Sequence, residues 1–245
     1  VTVYARENGS PLRRISHGIA SPNALAFDRS DSLYVSNGTT HTVTVYAGGG
    51  TKLSRTISRG LKTPGVLEFD SAGNLYVANG NDVQVYAPGR SHPLRTIAQG
   101  VNRAAALAFD AAGNLYVAND AGNSVTVYAP GTTSVLRTIV DEVQSPVALV
   151  LDASGNLYVA NCASPASNVT IYAPGTSTLV GEIGAGFPNA LAFDGRAVYT
   201  AQPSTGGPSK IRNGSVLVTN AGPGWKNLRQ IYRHLYNPAQ LAFGP

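Results

Sequence analysis

Leu107-Ala-Phe-Asp110-Ala-Ala-Gly-Asn-Leu115-Tyr-Val-Ala-Asn119, then Val125-Thr-Val-Tyr-Ala-Pro-Gly131 and Leu136-Arg-Thr-Ile139, make one complete unit of a pattern that returns along the whole chain. Four short runs, β-branched and aromatic and bounded by Gly, Pro, Asn or Asp, are what strands joined by tight turns require. We label them a, b, c and d in chain order. No segment carries a helical stripe with caps.

The Asp that closes run a recurs as Asp28, Asp70, Asp110, Asp152 and Asp194, and its sixth counterpart is Gly244 in Leu241-Ala-Phe-Gly; the spacings are 42, 40, 42, 42 and 50. A period of roughly forty residues with four strands per unit predicts a β-propeller. The predicted fold is therefore all-β, a six-bladed β-propeller with four-stranded antiparallel blades, in a single domain over 1–245. Strands c and d of the sixth blade come from the N terminus (about 1–16) and strand a from the C terminus (about 239–243), so that blade lacks strand b. A neighbouring chain can supply a missing strand by addition to the open edge, which makes self-association one expected partner mode. The chain contains no Met and reads as a mature or trimmed product, or as a stretch of something longer.

Repeated polar residues read as structure. Asp110-Ala-Ala-Gly-Asn suits a type I turn followed by a left-handed residue, so the five aspartates are expected to hold turns. Asn37, Asn79, Asn119 and Asn161 end strand b, where a carboxamide can hydrogen-bond turn backbone. Tyr34, Tyr76, Tyr116 and Tyr158 are expected to pad the interfaces between blades.

Charge is sparse, with 18 Lys and Arg against 13 Asp and Glu and a net charge of +5. Arg13, Arg55, Arg95, Arg137 and Arg229 share one position of strand d, where blade four has Gly181; they read as a charged outer edge that discourages sheet pairing. Aromatic residues do not interleave with them, so a nucleic-acid partner is not expected. No apolar stretch approaches the ~20 residues of a membrane-spanning helix, and membrane insertion is not expected. Cys162 is the single cysteine, which excludes an internal disulfide framework and reads as a buried or loop thiol. The polar, charge-poor composition fits a secreted, periplasmic or cell-surface protein.

In such a blade the a–b and c–d turns lie at one end and the b–c and d–a loops at the other. The first set is nearly uniform. The second varies, and loops of differing chemistry on a rigid frame are where binding is built. The candidate ligand-binding residues are therefore His17, Arg59, Lys62, Arg103, Asp141, Glu142, Arg233, His234 and Tyr236 of the d–a loops, with His41, Lys210 and Arg212 of the b–c loops. Basic residues gather in blades five, six and one, and acidic ones in blade three.

The strings Gly-Asn-Leu-Tyr-Val-Ala-Asn and Val-Thr-Val-Tyr-Ala-Pro-Gly resemble the NHL and YVTN-type propeller repeats over essentially the whole chain. That resemblance implies the propeller fold and leaves activity open, since such families include binding modules as well as enzymes. Related enzymes, among them gluconolactonase-like hydrolases, streptogramin lyases and peptide-amidating lyases, carry metal and acid–base groups at the channel mouth. At the matching strand-a positions this chain offers Asn23, Asn189 and, three residues into the strand of blade two, the carboxylate of Glu68. One carboxylate and two amides are a poor cage for calcium or zinc. No catalytic residue, metal ligand or cofactor is assigned. The leading expectation is a non-enzymatic module whose b–c and d–a face takes a peptide, protein or glycan partner. A metal-dependent lyase or lactone hydrolase, gathering Glu68, Asn23 or Asn189 with His17, His41 or His234, is the alternative, and a self-assembling structural protein is the second.

Overall fold

A computed structural model describes residues 1–4, 10–164, 167–202, 215–221 and 227–231, the backbone alone at 220 and 227–231. Every element in these segments is a strand. Blade one is β3 (Pro22–Phe27), β4 (Leu33–Asn37), β5 (Thr42–Tyr46) and β6 (Leu53–Ile57). Blade two is β7 (Pro64–Phe69), β8 (Leu75–Asn79), β9 (Val83–Tyr86) and β10 (Arg95–Ile97). Blade three is β11 (Ala104–Phe109), β12 (Leu115–Asn119), β13 (Ser124–Tyr128) and β14 (Val135–Ile139). Blade four is β15 (Pro146–Leu151), β16 (Leu157–Asn161), β17 (Asn168–Tyr172) and β18 (Leu179–Gly184). Blade five is β19 (Ala190–Phe193), β20 (Ala197–Gln202), β21 (Ser215–Asn220) and β22 (Asn227–Ile231). Each is a four-stranded antiparallel sheet in the order a-b-c-d, and β1 (Thr2–Tyr4) pairs with β2 (Pro11–Arg14) as strands c and d of the sixth. The fold is the six-bladed β-propeller that the repeat predicts. The strand expected at about 239–243 lies outside the described residues.

Compactness divides the chain into Val1–Ala104 and Ala105–Pro245. In the first unit Ala24, Tyr34, Val43, Val45 and Ile57 of blade one pack against Leu67, Leu75, Val77 and Tyr86 of blade two, and the Tyr34 and Phe69 rings meet edge to face at 5.0 Å. In the second unit Tyr116 packs with Leu149 and Leu157 of blade four, and Tyr158 with Leu191 of blade five. Tyr34, Tyr116 and Tyr158 pad blade interfaces as expected. Strand b is buried along its whole length in blades one to four, while strand d of blades one and three alternates half-buried and exposed. That is how a central strand and an edge strand differ in a stack of sheets.

The a–b turns follow one plan. Asp70 Oδ1 accepts the N–H groups of Ala72 and Asn74 at 2.9 and 2.8 Å, and Gly73, at φ 81°, donates its N–H to the Asp70 carbonyl at 3.0 Å. Asn74 Nδ2 then donates to Asp70 Oδ2 at 2.7 Å, and Asn114 and Asn156 do the same for Asp110 and Asp152 at 2.8 Å. The aspartates are turn residues, as their recurrence predicts.

The arginine row is not the charged outer edge that its position in strand d predicts. Val45 lies between Tyr34 and Arg55 in cross-strand register, and the same row is Tyr76–Val85–Arg95 in blade two and Tyr116–Val127–Arg137 in blade three. Residues in one row share a face, so each guanidinium can fold back over the valine. Arg55, Arg95 and Arg137 donate to the hydroxyls of Tyr34, Tyr76 and Tyr116 at 3.2, 2.6 and 2.7 Å, and the last two lie 5.7 and 5.5 Å from the ring centres. Tyr116 in turn donates to Asp110 Oδ2 at 3.3 Å. These arginines are half-buried clamps between strands b and d, with Nε atoms buried and unpartnered, and are not a free charged rim.

Candidate binding face and a cavity at the opposite end

Two sets of buried side chains hold the d–a loops. Tyr46, Tyr86 and Tyr172, the last residues of strand c, donate to the main-chain carbonyls of His17 (2.6 Å), Arg59 (2.6 Å) and Asp141. In blades one and four a bulge falls between this tyrosine and the residue before it, and a bulge re-aims a side chain. The rings are essentially inaccessible to solvent, and burial raises the hydroxyl pKa of Tyr86 and Tyr172. These hydroxyls remain protonated donors.

The asparagines that end strand b supply the second set. Asn79 Oδ1 accepts from the N–H groups of Lys62 and Thr63 at 2.7 and 2.9 Å, while its Nδ2 donates to the Gly60 carbonyl at 3.0 Å and to Asp82 Oδ1 at 2.8 Å. Asn37 Oδ1 accepts from Ala20 N–H at 2.9 Å, and Asn161 Oδ1 from Gln144 N–H at 3.0 Å. Their role is structural, as expected, but the backbone they satisfy is mainly that of the d–a loop entering the same blade. Neighbouring b–c loops add bonds, since Asn81 Oδ1 accepts from Arg103 N–H at 3.0 Å and Asn123 Oδ1 from Ser145 N–H at 2.8 Å.

On these held loops His17, His41, Arg59, Lys62 and Arg103 of the first unit, and Asp141 and Glu142 of the second, are all exposed. Lys210, Arg212, Arg233, His234 and Tyr236 lie outside the described residues. Three of the exposed residues adopt left-handed backbone: His41 (φ 54°), Arg103 (55°) and Glu142 (52°). Glu142 stands where the d–a loops of other blades have Gly18, Gly60 and Gly100, at φ 77°, 79° and 76°. A side chain costs roughly 1–2 kcal/mol in that conformation.

Glu68 lies directly across from Tyr76, so its carboxyl occupies the sheet face that carries the Tyr76–Arg95 row. Burial pushes its pKa to about 7. Asn23 Nδ2 donates to the Pro64 carbonyl at 2.9 Å, and Asn189 N–H to the Ala201 carbonyl at 2.9 Å. Among the described residues no three His, Cys, Asp or Glu side chains gather as metal ligands would. Cys162 is a free thiol, with its pKa raised by partial burial and then by the Asp120 charge.

A cavity of about 440 Å³ opens at the other end of the first unit, between blades one and two. Phe27, Tyr34, Phe69 and Pro88 form its apolar walls; Asp28, Arg29, Ser30, Asp70 and Ser71 bring polar groups. The a–b turns at this end are nearly uniform in sequence, and none of the candidate binding residues lies there. A signal is nonetheless present in the sequence: blade one reads Asp28-Arg-Ser-Asp-Ser32 where blades two to four have Gly at the fourth position and Asn at the fifth.

No family model matches the chain, and no curated protein sequence does. Solved structures do. The hydrazine synthase of Kuenenia stuttgartiensis superposes with a TM-score of 0.73 at 17% identity, over 91% of this chain and 68% of that one. A chain of the mitotic checkpoint complex gives a TM-score of 0.78 at 14% identity, over 98% and 73%. Both are propeller folds. At such identities the likeness is one of fold.

Proposed function

We propose that this propeller, of NHL type, is a non-enzymatic binding module that takes a protein partner, through a peptide segment, on the face formed by its b–c and d–a loops. The observation that carries this reading is the clamped loop: buried Tyr and Asn side chains fix the backbone at His17, Arg59, Lys62 and Asp141 while the side chains there differ from blade to blade and remain in solvent. A preorganised face loses little conformational entropy when it binds. Glu142 supports the same reading, because a left-handed non-glycine residue is costly and such strain concentrates at functional sites. One solved neighbour comes from a multi-protein complex, a setting in keeping with a protein partner. Export to the periplasm, cell surface or medium belongs to this proposal.

The test is selection of peptides from a displayed library on the immobilised chain. Binding is then compared with a His17→Ala/His41→Ala/Arg59→Ala/Lys62→Ala variant and with Arg29→Ala at the opposite end. Selected peptides should weaken at least tenfold against the loop variant and be unaffected by Arg29→Ala. Peptides that bind the loop variant as well as the parent would refute the assignment.

A further inference from the structure

We infer that the cavity between blades one and two is a second binding site, for one or two rings of a neutral saccharide. Its volume of about 440 Å³ falls in the range of small-ligand pockets. The walls are mixed in a particular way. Phe27 is 59% exposed at the mouth, and Phe69 and Tyr34 meet edge to face behind it. Aromatic faces beside polar groups suit a ligand whose C–H surface is apolar and whose edge is polar.

The polar lining carries both signs of charge, the carboxylates of Asp28 and Asp70 and the guanidinium of Arg29. Arg29 brings a guanidinium to a turn position where blades two to four have Ser71, Ala111 and Ala153. Asp28 Oδ1 accepts the N–H groups of Ser30 and Ser32 at 2.9 Å. Its turn has Ser32 in place of the asparagine that gives Asp70, Asp110 and Asp152 a carboxamide donor on Oδ2. Asp28 therefore retains acceptor capacity that Asp70, Asp110 and Asp152 spend internally, with Tyr34 its side-chain donor. A strong acceptor and a strong donor on adjacent residues, flanked by the hydroxyls of Ser30 and Ser71, match vicinal hydroxyl groups, which donate and accept from neighbouring carbons. An organic cation would meet Arg29, and an anion would meet Asp28 and Asp70. Blade one is thus modified at three turn positions, 29, 31 and 32, and the turn retains its shape because Asp31 takes up the left-handed conformation (φ 58°) that Gly73 has in blade two.

The site lies at the opposite end of the blades from the loop face, so the two assignments fail separately. Glucose, galactose, mannose, N-acetylglucosamine and their β-1,4 disaccharides would each be titrated to tens of millimolar into isotope-labelled protein, followed by amide shifts. Tetramethylammonium and benzoate serve as charged aromatic-site probes. The expected result is saturable shifts at Ser30, Ser71–Gly73 and Gly89 with at least one sugar, weakened tenfold or more in Phe27→Ala and in Arg29→Ala. Both side chains are exposed, and circular dichroism should show both variants folded. Shifts with tetramethylammonium or benzoate but no sugar, shifts confined to the b–c and d–a loops, no saturable shift at all, or binding unchanged in both variants would each overturn the proposal.

Discussion

Glu142 and Glu68 are residues at which this chain departs from its own repeat at a cost. Glu142 keeps a side chain at a glycine position with φ 52°. Glu142→Gly should therefore stabilise the fold by about 1 kcal/mol, the left-handed penalty less the added freedom of the unfolded chain; chemical denaturation checks this, and a loss of stability would contradict it. Glu68 replaces the alanine found at this place in blade one, and burial raises its carboxyl from 4.5 to about 7. Its proton is held more tightly in the folded chain than in the unfolded one. The associated stability is thus fully present below pH 4.5 and is lost as pH rises through 7. At about 1.36 kcal/mol per pKa unit the loss is about 3 kcal/mol. Glu68→Gln should accordingly be more stable than the parent at pH 8 by about 2–3 kcal/mol, with that advantage gone at pH 4; an equal difference at both pH values in urea titrations would count against the burial.

At the scale of elements, the d–a loops entering blades one, two and four are held by the asparagine that ends strand b. Asn79 makes four hydrogen bonds to the Gly60–Thr63 loop and Asp82. Truncation leaves the loop amides and the Gly60 carbonyl without those partners, at ~1 kcal/mol or more for each buried group. Asn79→Ala should cost about 2–4 kcal/mol in thermal or urea unfolding, against under 1 kcal/mol for Lys62→Ala on the same loop. Much of this element logic was legible in the sequence. The LYVAN and VTVY strings gave the strands, and their Asn and Asp termini gave the turns, because a residue repeated in every unit answers to backbone geometry. The arginine clamp was not legible, since which side chains fold back depends on a cross-strand register that chain spacing does not state. The Tyr46, Tyr86 and Tyr172 bonds were hidden for a related reason: they join residues 27 to 31 positions apart. The cavity was not legible either, because its signal in the sequence is one altered turn, Asp28–Ser32, among nearly identical ones.

For the whole molecule, the described strands form five four-stranded sheets and the two-stranded sheet of β1 and β2. We propose that the two compact units, Val1–Ala104 and Ala105–Pro245, unfold as one domain: a single cooperative calorimetric transition is expected, and two resolved transitions would count against it. The central claim is that buried tyrosine and asparagine side chains hold the variable loops as rigidly as the strands. Amide hydrogen exchange measures this directly at Lys62, Thr63 and Gln144, whose N–H groups are bonded to Asn79 and Asn161. The account predicts protection approaching that of strand-b amides such as Val77 and Val159; exchange at the rate of an unstructured loop would contradict it.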